Sequence, residues 1–233
     1  MMKKTASLDR MATTYEALRE LIVHGQLAPG SRIVEADVAE RLNVSRTPVR
    51  SALQRLHQEG YIVLSPGQRK SRAMVAPLTK EDASELFSIV GAVEGLAARR
   101  AAEADAKARK RLVTHLKEIN HDLFASASAG RPDKDHIFNL DSLFHRTYVE
   151  AGAGARLLAL HDAVKPQAER YVRLYINSLL DRIAESVEEH VVTVTAIEAG
   201  DPEAAQQAVN VNWRNADKRL AIVIENMGER GSW

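Results

Sequence analysis

The chain has 233 residues, 45% hydrophobic and 27% charged, with 32 Lys+Arg against 31 Asp+Glu, no cysteine and 5% aromatic residues. That length and apolar content suffice to bury a core in one large or two smaller domains, and they exclude wholesale disorder. The missing cysteine excludes a disulfide framework, a Cys-ligated zinc and a thiol nucleophile. No apolar segment follows Lys3 and Lys4 as in an export signal. Nor does any stretch approach the roughly 18 apolar residues of a spanning helix. The expected location is the cytoplasm, with no membrane partner.

Tyr15, Leu18, Leu21 and Ile22 recur at the helical period and give a first helix, ended by the turn from His24 to Gly30. A short helix follows over Ala36–Leu42, with Val38, Ala39 and Leu42 inward. Ser45 is a good N-cap for a third helix, and Pro48 falls in its first turn, where a missing N–H costs nothing. Val49, Leu53 and Leu56 form that helix's apolar stripe. The period then changes: Tyr61–Leu64 and Ala73–Ala76 are β-branched or aromatic runs around a basic segment, which predicts a two-stranded hairpin closed off by Pro77. From Thr79 onward the pattern is helical. Breaks near 125–132, 151–155, 177–180 and 200–202 predict five or six long amphipathic helices in an antiparallel bundle. The fold class expected is therefore mainly α, a winged helix-turn-helix over 1–78 followed by an all-α bundle over 79–233.

The near-neutral total hides two opposite halves. Residues 1–78 hold 12 Lys+Arg against 7 Asp+Glu, leaving an acidic excess in the rest. In a winged helix-turn-helix the third helix enters the major groove and the hairpin lies along the adjacent backbone or minor groove. Arg46 and Arg50 are four apart and share a face opposite the apolar stripe, so they are candidates for guanine edges or phosphates. Ser45 and Thr47 can donate to phosphates at the helix N-terminus, while Arg32, Arg69, Lys70 and Arg72 add basic contacts around them.

The run Gly25–Ile33 resembles the G-x-L-x-P-G-x-x-L stretch of the GntR family of bacterial transcription regulators. Val44-Ser45-Arg46-Thr47-Pro48-Val49-Arg50-Ser51-Ala52-Leu53 resembles that family's diagnostic V-S-R-T-P-V-R-x-A-L, at the family's spacing. The resemblance implies that Arg46, Thr47 and Arg50 contact an operator. The wing departs from the pattern, because Arg72 stands where a glycine usually precedes its second strand.

In the bundle, Asp141 and His145 are four apart on one helix, and His190 sits among Val187, Val191 and Val194 on another. A carboxylate and two imidazoles converging inside a bundle suit a divalent metal, although a histidine on an apolar face is also an ordinary core residue. Asp141–His145 with Ala151-Gly152, and Glu189-His190 with Ala199-Gly200-Asp201, resemble the D-x-x-F-H … A-G and E-H … A-G-D of the FCD ligand-binding domain of FadR-like GntR regulators. Many members bind a metal through an Asp and three His. The resemblance places Asp141, His145 and His190 at three of those ligands and Asn212 at the fourth. Zinc is the first expectation, with nickel and manganese as alternatives. Many such domains also carry an arginine at the position of Val90, so an acidic ligand lacks that clamp here, and Arg170 and Arg173 are the candidate replacements.

The function expected is a ligand-responsive, non-enzymatic transcription regulator, in the repressor sense. A homodimer would match the two-fold symmetry of a palindromic operator, with a small-molecule effector and a metal in the C-terminal bundle. The alternative is a metal-dependent enzyme fused to a DNA-binding module, but the sequence contains no H-E-x-x-H and no evident general base beside the three metal candidates.

Overall fold

The stripe of Tyr15, Leu18 and Ile22 lies on α1 (Met2–Val23) and is almost wholly buried. Sequence periodicity starts this helix near Tyr15, but its backbone is helical from Met2. The computed structural model describes residues 2–65 and 72–231; Arg69 and Lys70 lie outside the described residues. α2 (Glu35–Arg41) and α3 (Arg46–Gln58) turn Val38, Ala39, Val49, Leu53 and Leu56 onto α1, and these side chains form one apolar cluster with Tyr61, Ile62 and Val75. Tyr15 also ties α1 to the end of α3. Its hydroxyl donates to Glu59 Oε2 at 2.6 Å, and Arg55 covers its ring at 3.6 Å. Burial, and then the Glu59 carboxylate, push the Tyr15 phenol up to about 12.

The wing is an antiparallel pair, β1 (Ile62–Ser65) and β2 (Arg72–Val75), with Ile62 opposite Val75 and Leu64 opposite Ala73. Its outer edge is not open. Residues 31–33 bond to β2, with Ile33 N–H donating to Ala73 O and Val75 N–H to Ser31 O, both at 2.9 Å. The sequence periodicity assigns no element to 31–33, between the turn ending at Gly30 and the second helix. Pairing this segment to β2 fixes Arg32 opposite Met74 and satisfies an edge that would otherwise be exposed.

The backbone divides into two units, one running from the N-terminus to Thr79 and resuming at Glu229, the other Lys80–Gly228. The returning tail is held by a two-bond bridge between Leu78 and Arg230, at 2.8 and 3.1 Å.

The second unit is all helical: α4 (Lys80–Ala102), α5 (Ala106–Ala127), α6 (Lys134–Gly152), α7 (Ala155–Leu179), a single 3-10 turn at Leu180–Arg182, α8 (Ile183–Ala199) and α9 (Pro202–Met227). The caps are written in the sequence. Asp105 accepts from the N–H groups of Lys107 and Ala108 at 2.9 Å, and Asp133 does the same for α6. Gly200 ends α8 in the left-handed region at φ 70°, and Asp201 then caps α9 by accepting from Ala204 N–H at 3.0 Å. No helix among the described residues is long and apolar enough to cross a membrane.

α4 is the central helix, and α9, α6 and α7 all pack on it. Its buried surface is mostly small, with Ala83, Gly91, Gly95, Ala97, Ala98 and Ala101. Small side chains let neighbouring backbones come close, and Gly152 at the end of α6 uses that room fully. A Cβ built on Gly152 would stand 2.0 Å from the carbonyl oxygen of Ala97 and 2.8 Å from Ala101 N. Both are helix backbone, which cannot swing aside. Gly152→Ala should therefore destabilise the bundle by about 1–3 kcal/mol or more, read as a lowered urea midpoint, whereas the open Gly130→Ala should leave it unchanged.

Candidate DNA-reading face and metal centre

In the N-terminal unit the apolar stripe of α3 sets which side faces outward. Val49 and Leu56 are fully buried, so Arg46, Thr47 and Arg50 are left exposed on the opposite side. Ser45 precedes α3 with extended backbone (φ −74°, ψ 164°), and its hydroxyl makes no cap bond, so it stays available beside the helix N-terminus. Arg50 is not free: its Nε donates to Glu35 Oε2 at 2.7 Å, linking α3 to the first residue of α2. Arg32, Arg46, Arg50 and Arg72 line one open groove of about 1,030 Å³ between α3 and the wing, together with Glu35 and His57. Four guanidiniums around a concave face make a strongly basic surface for its size.

In the bundle, Asp141 and His145 on α6 meet His190 on α8. One candidate ligand atom from each lies within 4.8 Å of the others, and His190 Nε2 stands 3.8 Å from Asp141 Oδ1. Both histidines are buried and Asp141 is partly so. Their tautomers follow from their neighbours. Asn120 Nδ2 donates to Val187 O at 3.1 Å, which turns Asn120 Oδ1 toward His190 Nδ1 at 3.0 Å. A carbonyl oxygen only accepts, so Nδ1 carries the proton and Nε2 presents a lone pair. That Nε2 is buried and has no hydrogen-bond partner. Burial, followed by the nearby positive groups, holds the His190 imidazole well below its usual value, which keeps it neutral. Phe144 stacks on its ring at 3.9 Å and fixes its plane.

His145 is oriented by a different device. Its Nδ1 lies 2.7 Å from Glu94 Oε2, so the proton sits on Nδ1 and Nε2 is left as the donor atom. Glu94, on α4, is fully buried. Its carboxylate accepts from Tyr148 Oη at 2.6 Å, Trp213 Nε1 at 2.8 Å and His161 Nε2 at 3.0 Å, with Lys165 Nζ at 3.8 Å. Burial by itself would raise this carboxyl. The Lys165 ammonium and the hydrogen bonds of His145 and His161 outweigh it and hold the group well below the usual carboxylate range. Burial likewise disfavours the Lys165 ammonium, but Glu94 and Glu169 overcome it and raise that amine. Val90 is buried one turn before Glu94; the positive charge beside Glu94 comes from Lys165 on α7.

Asn212 on α9 belongs to a third group. Its Nδ2 donates to Glu189 Oε2 at 2.8 Å, and Glu189 is also held by Asn215 and by both terminal nitrogens of Arg219, at 2.8–3.0 Å. Asn212 therefore has its carbonyl oxygen uncommitted. It borders a cavity of about 80 Å³ shared by Asp141, His145, Ser186, Arg219 and an apolar wall that includes Phe87, Phe138 and Trp213. The arginines expected at this cavity are displaced. Arg170 is buried and engaged within the helix packing, and Arg173 lies over the ring of Phe138 at 3.9 Å, behind the cavity wall. Arg182 and Arg219 line the cavity instead.

Several site residues escaped the sequence reading: Glu94, Asn120, Tyr148, His161, Lys165, Trp213 and Arg219. Glu94 carried a usable signal. It falls in register with Phe87, Val90, Gly91 and Ala98 on the buried side of α4, and a lone carboxylate at a core position must find buried donors.

Two family models match the chain: "Bacterial regulatory proteins, gntR family" over residues 11–69 and "FCD domain" over residues 85–214. The chain is 30% identical over 216 residues to a probable D-xylose utilization operon transcriptional repressor from Paenarthrobacter nicotinovorans, covering 89% of each. It is 26% identical over 207 residues to the gluconate operon transcriptional repressor of Bacillus licheniformis, covering 87% of this chain and 82% of that one. Among solved structures, McbR/YncC of E. coli shares the fold at a TM-score of 0.70 and 20% identity, over 94% of this chain and 99% of that one. A putative regulator from Rhodococcus sp. RHA1 does so at 0.68 and 22%, over 91% and 97%. These relatives are transcription regulators rather than enzymes, and the chain belongs with them to the GntR family, in the FadR-like branch that carries a C-terminal FCD domain.

Proposed function

We propose that this regulator represses transcription in the cytoplasm as a homodimer on a palindromic operator, and that a divalent metal and a small metabolite in the bundle control it. The observation that carries the metal is the buried, unpartnered Nε2 of His190 facing Asp141 and His145. A neutral buried nitrogen with a fixed lone pair and no donor is an uncompensated polar atom, and a cation answers it. Asp141, His145 and His190 would hold the metal, with the Asn212 carbonyl oxygen available as a weaker fourth ligand. Two nitrogens and a carboxylate suit zinc, ahead of nickel and manganese. Bound there, the metal supplies a Lewis-acidic point at the cavity for an oxygen of the effector. The effector itself would be small, in keeping with the cavity, and held by the apolar wall with Ser186 and Arg219 as its polar contacts. Its coupling to operator affinity is a difference in binding between two states, typically about 1–3 kcal/mol.

For DNA, Arg46 and Arg50 would read or clamp the major groove, with Ser45, Thr47, Arg32, Arg69, Lys70 and Arg72 on the backbone. The relatives named as repressors of sugar operons favour repression. Arg50→Ala should weaken specific operator binding by about 1–3 kcal/mol while the oligomeric state is unchanged; footprints identical to wild type would reject the assignment. Affinity should also fall steeply with added salt, as expected when several arginines displace counterions.

For the metal, untagged His190→Ala protein should contain clearly less metal than wild type by elemental analysis. Glu94→Gln should keep the metal ligands but bind zinc about 10- to 100-fold more weakly, because the partner that orients His145 is lost. Equal zinc affinity in wild type and both variants, by competition with a chromophoric chelator, would remove the metal from this reading.

A further inference from the structure

We propose that the outer face of α4 is where two copies of this chain meet, with the two α4 helices antiparallel across a two-fold axis. The proposal rests on the homodimer reading above and adds the surface and its register.

The inner face of α4 is spent on Trp213, Glu94 and the neighbouring helices. Its outer face carries Glu85, Ile89, Ala92, Val93, Leu96 and Arg100, which recur at helical spacing on one side. Ile89 is 41% exposed and Leu96 is 44% exposed, large apolar side chains left facing out along one line. The order of the stripe is symmetric about the bond between Ala92 and Val93. Ile89 and Leu96 flank that midpoint equally, and Glu85 and Arg100 lie about 11 Å to either side at helical rise.

An antiparallel second copy centred on the midpoint sets Ile89 beside the partner's Leu96 and Glu85 beside the partner's Arg100, twice over by symmetry. A parallel copy would oppose glutamate to glutamate and arginine to arginine. The charges thus choose the antiparallel register, and the small Ala92 at the crossing lets the helices come close.

The two end charges are available for this pairing. Some bundle arginines are matched, Arg99 with Glu203, Arg146 with Glu150 and Asp162, and Arg182 with Glu185, while Arg111, Arg131, Arg156 and Arg214 share with Arg100 the lack of an ion pair among the described residues. Glu85 and Arg100 have no ion pair or side-chain hydrogen bond among the described residues. The more exposed patch of Phe124, Val191 and Val192 on α5 and α8 lacks such an arrangement, and Lys117 within it is already paired with Glu198.

The test is sedimentation equilibrium of the full chain. Arg100→Glu should raise the dimer dissociation constant by at least about tenfold, since both attractive contacts become repulsive. Adding Glu85→Arg to that variant should restore the constant to within about threefold of wild type by re-pairing the charges. Ala92→Trp should also break the dimer, as a wedge at the crossing. These positions are exposed, so circular dichroism should be unchanged in each. Because the chain has no cysteine, Ala92→Cys should give a disulfide-linked dimer on mild oxidation, while Phe124→Cys should not. A dimer unaffected by both Arg100→Glu and Ala92→Trp overturns the surface but leaves the dimer standing. A wild-type chain that sediments as a monomer overturns both.

Discussion

The Glu94 carboxylate is the interaction on which the bundle's interior depends. An ionised carboxylate taken wholly out of water costs several kcal/mol unless its oxygens are met by donors. Here the donors arrive from three other helices: His145 and Tyr148 from α6, His161 and Lys165 from α7, and Trp213 from α9. Each of those helices must dock on α4 in one register for the group to be satisfied. The small residues of α4 permit that approach, and Gly152 shows how little slack remains. Glu94 therefore selects a packing, and the same packing sets the tautomer of His145. Structural satisfaction and ligand orientation come from one side chain.

Much of this was legible from the residues in order. The period of α3 separates Val49, Leu53 and Leu56 from Arg46 and Arg50, so its exposed face follows from packing alone. Gly200-Asp201 reads as a helix stop followed by a helix start, and both residues act so. Asp141, His145 and His190 were picked out by spacing and family resemblance, and the fold brings them together. What escaped was non-local. Asn120 lies far from His190 in sequence, and nothing in its own neighbourhood marks it as the acceptor that fixes an imidazole. Arg170 and Arg173 were chosen for their charge, but a helix packed on several sides buries residues at more than one phase, and these two were drawn into the packing and onto Phe138. Residues 31–33 were hidden by the turn glycines around them, since an edge pairing is decided by the strand it joins.

The Arg50–Glu35 pair has a consequence for the DNA-facing surface. Arg50 is largely exposed, at 65%, and Glu35 partly so, at 38%, and a pair of this kind is worth about 1 kcal/mol or less. In the DNA-binding reading proposed above, a phosphate or a guanine edge would compete with so weak a pair. Until then Glu35 holds the guanidinium extended across the groove and offsets part of its charge.

The two histidines at the metal candidate are supported differently, and the difference places Asn212. His145 leans on a charged carboxylate, which fixes its ring orientation and tautomer. His190 leans on a neutral amide and is kept neutral by burial. The third support joins Asn212, Glu189 and Arg219, and it borders the cavity directly. Arg219 is nearly buried and held by Glu189, whose carboxyl stays low despite burial because Arg219, Asn215 and Asn212 all donate to it. An anion entering the cavity would compete with Glu189 for Arg219. Loosening that pair would free Glu189 to turn, and with it the Asn212 amide. A polar ligand in the cavity and an ion at the histidines would then share one adjustable residue. An asparagine at that position can hold Glu189 through its amide nitrogen and still present its carbonyl oxygen.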